Sequence, residues 1–378
     1  MTQTKRQSLR TRFGRPELYT SYSQDMAMLN TTPKKVFVAG VLVVALAMTF
    51  SVDDGLLQLL ATGCALAIGA IGLNIVTGYA GQVSLGHAFF VAIGAYTAAV
   101  LSGDPNGRLL GFGITEVPVW LLAAGAVSAL AGALVAPLAV RLRGLYLAIV
   151  TLGLVFIGQY IFREWTELAG PPDIGRPAPV ATLFGTRIDV DGASLTRIQQ
   201  LYLLMLVLLV IFAVLARNLV RSRTGRAFAE IRDRDVAAAV IGVDLTRYKV
   251  IAFAVSSFYA GVAGALLYVI PQTFTAGNFN LLMSIQFIAM ILIGGVATIS
   301  GSIMGAFFIT LLPRITSELP ALLPFISTSA TGGGITLVQV ESILYGLLII
   351  GFLLFEPKGL FGIWIRIRNY WKTWPFSY

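Results

Sequence analysis

Two stretches of this chain are far too long and too apolar to be ordinary soluble segments. Residues 56–101 contain no Asp, Glu, Lys or Arg. As one helix rising ~1.5 Å per residue they would reach roughly 69 Å, about two bilayer cores of ~30 Å each. The stretch therefore reads as two helices with an interruption, placed at Thr77–Gln82, where Gly78 and Gly81 weaken the helix. Residues 281–312 are also uncharged. They would reach roughly 48 Å, too long for one span and short for two. Here the interruption falls between Gly294-Gly295 and Ser300-Gly301, and one half reads as a short or re-entrant helix. Six further apolar runs each match one span: 36–52, 117–140, 145–162, 201–216 (extending back toward Ile198), 250–270 and 338–355.

Charge supports the same reading. Only 12% of the 378 residues are charged, about half the ~25% usual for soluble domains. Disorder is excluded for the bulk of so apolar a chain, and Cys64 is the single cysteine, so no disulfide framework is available. The net charge is +9, which could mean nucleic acid or cytoplasmic loops. Counting ten segments from a cytoplasmic N-terminus places only Arg108, Arg163, Arg176, Arg187, Arg197 and Arg314 outside. The remaining 21 of the 27 Lys and Arg then lie inside. That is the positive-inside pattern, and it requires residues 281–312 to cross twice. The expected fold is therefore all-α: a polytopic membrane protein of about ten transmembrane helices, some broken or re-entrant, with both termini cytoplasmic. Residues 1–35 form a basic tail, flexible and able to touch anionic lipid. Residues 36–355 form the transmembrane domain, with an inside loop at 217–249 and an outside loop at 163–199. Residues 356–378 form a cytoplasmic tail. Ala45-Leu46-Ala47 resembles a signal cleavage site, but the apolar run continues past it, which favours a retained anchor.

No enzyme constellation is present. There is one histidine, no metal-ligand spacing and no Gly-rich loop followed by Lys that would cradle phosphates. The spans hold almost no ionisable group beyond His87 and Glu341, the latter at a span end. This counts against proton coupling through carboxylates, while sodium coupling through broken-helix carbonyls stays open. Active transport would then draw on a gradient or on a partner.

The loop 217–249 is the most informative segment outside the membrane. Asp235 is a good N-cap and Gly242 a good C′ residue. Between them Val236–Ile241 is small or apolar throughout. Either this is a connector obeying the positive-inside rule, or it is a short helix that docks in a partner's groove. Ala237-Ala238 followed three residues later by Gly242 resembles the coupling motif of ABC importer permeases, with Val236 where the family usually has Glu. Further blocks resemble the same family in the expected order. They are Gly72–His87 (GLNIVTGYAGQVSLGH), Arg143–Gly153 (RGLYLAIVTLG), Ala252–Ala265 (AFAVSSFYAGVAGA) and Pro357–Gly362 (PKGLFG). Together they are most similar to the M-type permeases of branched-chain amino acid importers, with the urea permeases sharing much of the pattern.

The resemblance implies a permease subunit of an ATP-driven importer in the bacterial cytoplasmic membrane, forming half of the pathway for branched-chain or similar small amino acids. It implies a second related permease, two ATPase subunits that use ATP, and an extracytoplasmic binding protein. The chain itself would bind no cofactor and no nucleic acid, and its other contacts would be with membrane lipid. Asp235, Ala237, Ala238 and Gly242 would carry the coupling to the ATPases. The rival classes are a urea or short-amide permease, a gradient-driven transporter or channel, and a membrane scaffold, which would have no use for broken spans.

Around the first interruption, Asn74, Thr77, Gly78, Gly81, Gln82, Ser84 and His87 admit two roles. They can satisfy backbone groups freed by the break, or line the pathway beside exposed dipole ends. His87 reads as a hydrogen-bonded orienting group or a pathway residue. Ser257, Gly261 and Gly264, with Gly301 and Gly305, recur at spacings that let helices approach closely. Gly78–Phe90 also faintly resembles Gly294–Phe308. Both fall on the same side of the membrane, which is not what an inverted repeat requires. Loop 163–199, with its Gly170-Pro171-Pro172-Asp173 turn, is either an ordinary surface loop or part of a face for the binding protein.

Overall fold

Several of the long helices start where a side-chain oxygen accepts an otherwise orphaned backbone N–H. The computed structural model describes residues 32–142, 144–171, 174–192, 195–316, 326–327 and 335–373. Its helices are α1 (Thr32–Ser51), α2 (Asp54–Asn74), α3 (His87–Ser102), α4 (Val117–Arg141), α5 (Leu145–Glu164), the single turn α6 (Thr166–Ala169), α7 (Arg197–Arg221), α8 (Arg223–Val240), α9 (Leu245–Leu267), α10 (Leu281–Gly294), α11 (Ile299–Thr316), α12 (Leu337–Phe355) and α13 (Gly359–Thr373). Thr196 and Gln199 form a capping box on α7. Asp244 caps α9 and Asn280 caps α10, each accepting a backbone N–H at 3.0 Å.

The chain divides into two compact units, residues 1–57 and 58–378. The first holds α1. Pro33 sits in its opening turn, where a missing N–H costs nothing. The helix thus begins four residues before the apolar run that announced it, and Lys34 and Lys35 belong to the helix rather than to a tail. Residues 1–31, the rest of the expected tail, and residues 374–378 lie outside the described residues.

Among the described residues, six helical segments are long and apolar enough to cross a membrane: Asp54–Tyr79, Val117–Arg141, Leu145–Glu164, Arg197–Arg221, Leu245–Leu267 and Ala276–Gly294. Shorter apolar helices run over Lys35–Ser51, His87–Ser102 and Ile299–Arg314. The protein is mostly helical and multi-pass. Six two-residue strands among the described residues are a small departure from the all-α expectation: β1 (Arg176–Pro177), β2 (Thr182–Leu183), β3 (Thr186–Arg187), β4 (Thr273–Phe274), β5 (Ile326–Ser327) and β6 (Ile335–Thr336). They pair β1 with β4 and β2 with β3 antiparallel, and β5 with β6 parallel.

The second unit is organised around α9, whose Ala, Gly and Ser residues allow unusually close approach on several sides. A Cβ on Gly94 of α3 would lie 2.1 Å from the Gly261 carbonyl oxygen, and one on Gly264 2.0 Å from that of Val91. On α4, a Cβ on Gly132 would meet Ser257 Oγ at 2.2 Å. Only residues without a side chain fit these contacts. The same device joins α10 to α11, where Gly305 lies so close to Met290 that a Cβ would sit 1.9 Å from its carbonyl oxygen. Gly301 likewise approaches the carbonyl oxygens of Gly294 and Gly295.

Two polar layers close opposite ends of α10. At its N-terminal end, Arg176 is 2% exposed and donates to the carbonyls of Ala99 (2.9 Å), Leu110 and Leu168. Burial disfavours its charge and pulls its pKa down, while Tyr96 opposes the shift. Arg197 donates to Val269 and Ile270 carbonyls at 2.7 and 2.8 Å. Tyr96, Phe162, Tyr268, Phe274 and Phe279 fill the space beneath. The other layer contains both helix interruptions.

The segment expected as the loop 217–249 is almost entirely helical. α7 continues to Arg221, α8 follows after Ser222, and α9 begins at Leu245. Its capping reading needs a one-residue correction. Arg234 is the extended residue (φ −157°, ψ 100°) that kinks α8, so Asp235 is the first residue of the second half and not its cap. A carboxylate there still complements the positive end of the half-helix.

Candidate functional site

Both interruptions exist, and one residue ties them together. α2 ends at Asn74 and continues as a π-helical turn, Ile75–Tyr79. Such turns are rare. The chain then runs without helix through residues 80–86 before α3 begins. α3 starts well inside the fold: His87 Nε2 lies 3.0 Å from the Gly69 carbonyl oxygen, about one and a half turns back from the end of α2. The break is therefore a re-entering non-helical stretch. α3, 16 residues long, is roughly 24 Å of helix and needs that stretch to cross a ~30 Å core.

The second interruption covers residues 295–298, between α10 and α11. Asn74 reaches into it. Its Nδ2 donates to the Thr298 carbonyl at 2.9 Å and to Ser302 Oγ at 2.6 Å, and its Oδ1 accepts from the Ala297 N–H at 2.8 Å. Ala297 has φ +58°, a backbone state uncommon outside glycine, and the Asn74 contact fixes its amide. The start of α13 completes the layer. A Cβ on Gly359, whose φ is +63°, would lie 2.5 Å from the Ile293 carbonyl oxygen. The two similar segments Gly78–Phe90 and Gly294–Phe308 are thus two breaks joined at one end of the fold.

Inside the first break the polar side chains act mainly on the backbone. Thr77 Oγ1 donates to the Gln82 carbonyl at 3.2 Å, and Gln82 Nε2 to that of Ala80 at 3.3 Å. Ser84 Oγ accepts from the Gly86 N–H at 3.4 Å. Two residues that sequence reasoning missed do the same from other helices. Thr151 Oγ1 accepts from Leu85 N–H at 3.0 Å, and Ser284 Oγ from Ala88 N–H at 3.1 Å. In an apolar surround these groups must find partners within the protein. Nothing local in the sequence marks Thr151 or Ser284, because their contacts cross 66 and 196 positions of chain.

His87 is 2% exposed and packs edge-on against Phe287 at 4.7 Å. A bond to a carbonyl requires Nε2 to carry the proton. A glutamine can donate one such bond but carries no titratable proton. His87→Gln is therefore expected to keep most uptake in reconstituted vesicles, with an unchanged pH profile. Selective loss at one end of that profile would show a proton-carrying role instead.

Gly78 and Gly81 face the loop helix α8. The Gly78 carbonyl accepts from Arg232 Nη1 at 3.3 Å, and Gly81, with φ +68°, leaves room for Arg232. Further along, Ala238 is buried, whereas Val236, Val240 and Ile241 are 67%, 82% and 68% exposed. Gly242 has φ +91°. Its N–H bonds the Ala239 carbonyl at 3.1 Å, and Val243 N–H bonds that of Ala238 at 3.0 Å. This is a Schellman ending. It stops the helix with an apolar edge still uncovered. Among the described residues no group of three His, Cys, Asp or Glu is placed to hold a metal.

This combination of broken, tightly packed spans and a capped apolar loop helix has relatives. The family model for the permease component of branched-chain amino acid transport systems matches residues 55–353. The high-affinity branched-chain amino acid transport system permease protein LivM of Salmonella typhimurium is 34% identical over 299 residues, covering 73% of this chain and 67% of the relative. Its Escherichia coli counterpart is 33% identical over the same length and coverage. The autoinducer 2 import system permease protein LsrC of an Enterobacter species is 28% identical over 200 residues, 52% of this chain and 54% of the relative. No solved structure matches. The chain belongs to the family of branched-chain amino acid transport system permease components.

Proposed function

We propose that the chain is one of two related permease subunits in an ATP-driven importer of the bacterial cytoplasmic membrane, forming half of the pathway for branched-chain amino acids. Two ATPase subunits supply the energy, and an extracytoplasmic protein delivers the substrate. The observation that carries this reading is the uncovered apolar edge Val236–Val240–Ile241 on a loop helix ended by Gly242. An edge of this kind on an aqueous loop suits a groove in a partner. Closure of the ATPases would displace α8 and shift the pathway between outward and inward access, provided the partners bind the two states unequally.

Ten membrane segments, α1–α5, α7 and α9–α12, fit this role, with α8 and both termini in the cytoplasm. Two features support that topology. The basic residues are partitioned 21 to 6. The two polar layers also join segments that the charge count puts on the same side: 74–81 with 232 and 295–302 in one, and 99–110 with 168–176, 197 and 269–270 in the other. In a background lacking Cys64, a cysteine at position 189 is expected to label from outside, and cysteines at 230 and 368 only from inside. Outside labelling at 368 would remove the ten-segment topology. The subunit reading itself is tested by mild-detergent purification, where a second permease and two ATPases are expected to accompany the chain.

A further inference from the structure

The loop helix that meets the ATPases must act on the membrane interior through some physical contact. Arg232 is the residue of α8 that the hydrogen bonds and close packing place on the first break. Its Nη1 donates to the Gly78 carbonyl at 3.3 Å. Its backbone and side-chain stem fill the space beside Gly81, where an added Cβ would lie 2.9 Å from Arg232 Cγ and 3.1 Å from Arg232 Cα. Glycine at position 81 is thus required twice, by the positive φ and by the approach of α8. The guanidinium is oriented from its own helix by Asp233, with Nε to Oδ1 at 3.0 Å and Nη2 to Oδ1 at 2.9 Å.

Two further observations make this contact more than surface packing. Arg234, two residues on, has non-helical dihedrals. The half of α8 bearing Arg232 and the half bearing the apolar edge are therefore distinct pieces joined at a kink, which is where one can be displaced against the other. The recipient is also an unusual element. Gly78 lies in the π-helical turn, and a Cβ there would collide with Asn74 Oδ1 at 1.9 Å and the Ala297 N–H nitrogen at 2.6 Å. Moving Gly78 must therefore disturb Asn74 and, with it, residues 295–302.

Resting on the proposed importer reading, we infer that Arg232 is a positioning residue that transmits displacement of the loop helix to both helix breaks through Gly78, Gly81 and Asn74. Its role is to link ATP hydrolysis to movement of the re-entering stretch 80–86. It does not hold the ATPases, whose docking edge lies beyond the kink. A contact network counts as coupling only when breaking it changes the linkage between two events, so the test reads both.

The experiment uses the complete complex, both permeases, both ATPases and the binding protein, in lipid vesicles with radiolabelled L-leucine. Arg232→Ala is expected to leave the subunit composition intact and leucine-stimulated ATP hydrolysis within twofold of the unmodified complex. Uptake should fall at least tenfold, so that more ATP is hydrolysed per leucine imported. Arg232→Lys, which keeps a donor on a long stem, is expected to recover uptake to within about threefold. Gly81→Ala, which pushes against Arg232, should behave like Arg232→Ala. Uptake and hydrolysis falling in equal proportion in an intact complex would overturn the inference, as would unchanged uptake in Arg232→Ala. Failure of the unmodified chain to retain ATPases would instead overturn the importer reading on which the inference rests.

Discussion

Replacing Val236 and Val240 together by Asp will strip the ATPases from the purified complex, by at least tenfold in stoichiometry, and reduce leucine uptake to background. Both side chains are more than two-thirds exposed, Val236 at 67% and Val240 at 82%. The substitutions therefore remove no internal packing and leave the fold and its insertion intact. They place two carboxylates on the surface that the proposed partner groove would bury, and burying an unpaired charge is strongly unfavourable. Asp at position 240 also puts negative charge at the C-terminal end of a helix, against its dipole. If this edge is merely a solvated connector, the double variant will co-purify with the ATPases and import normally. That outcome would remove the docking reading and the argument from sequence that led to it.

Asn74→Leu is expected to produce a large loss of stability at the breaks. The residue is 1% exposed and serves Ala297, Thr298 and Ser302 at once. Leucine fills a similar volume but leaves the Ala297 N–H without its acceptor and withdraws two donors. A buried group left unsatisfied costs about 1–3 kcal/mol each, so a loss of roughly 3 kcal/mol or more is expected. The loss of restraint on Ala297, at φ +58°, adds to this. The measurement is thermal unfolding of the purified chain in detergent, together with protease sensitivity between residues 294 and 302. A melting temperature lowered by several degrees and new cleavage in that interval are expected. An unchanged melting curve would mean that the two breaks hold their shape independently.

Much of the architecture was legible in the amino-acid order. The uncharged lengths of 56–101 and 281–312 demanded breaks, and both breaks occur close to the glycines that marked them. The reason is one-dimensional: a helix rises by a constant step and a bilayer has a limited thickness, so length alone reveals an interruption. The Gly242 ending was legible for a similar reason, since a positive φ at a helix end is a local demand that glycine meets. Small residues at helical spacing on α9 marked a surface that other helices could approach closely, as Gly94 and Gly132 do.

The tertiary structure alone decided what each break touches. Asn74 looked equally suited to lining a pathway, yet its partners lie more than 220 positions away. Thr151 and Ser284 carry no local signal at all. Arg232 was one of several arginines that orientation alone explained, until its contact with Gly78, 154 positions distant, gave it a separate role. At each break the sequence determined that polar or glycine residues had to be there, because an apolar surround leaves no freed backbone group without a partner. Which partner satisfies it depends on how the helices pack, and close packing is a property of surfaces brought together from distant parts of the chain.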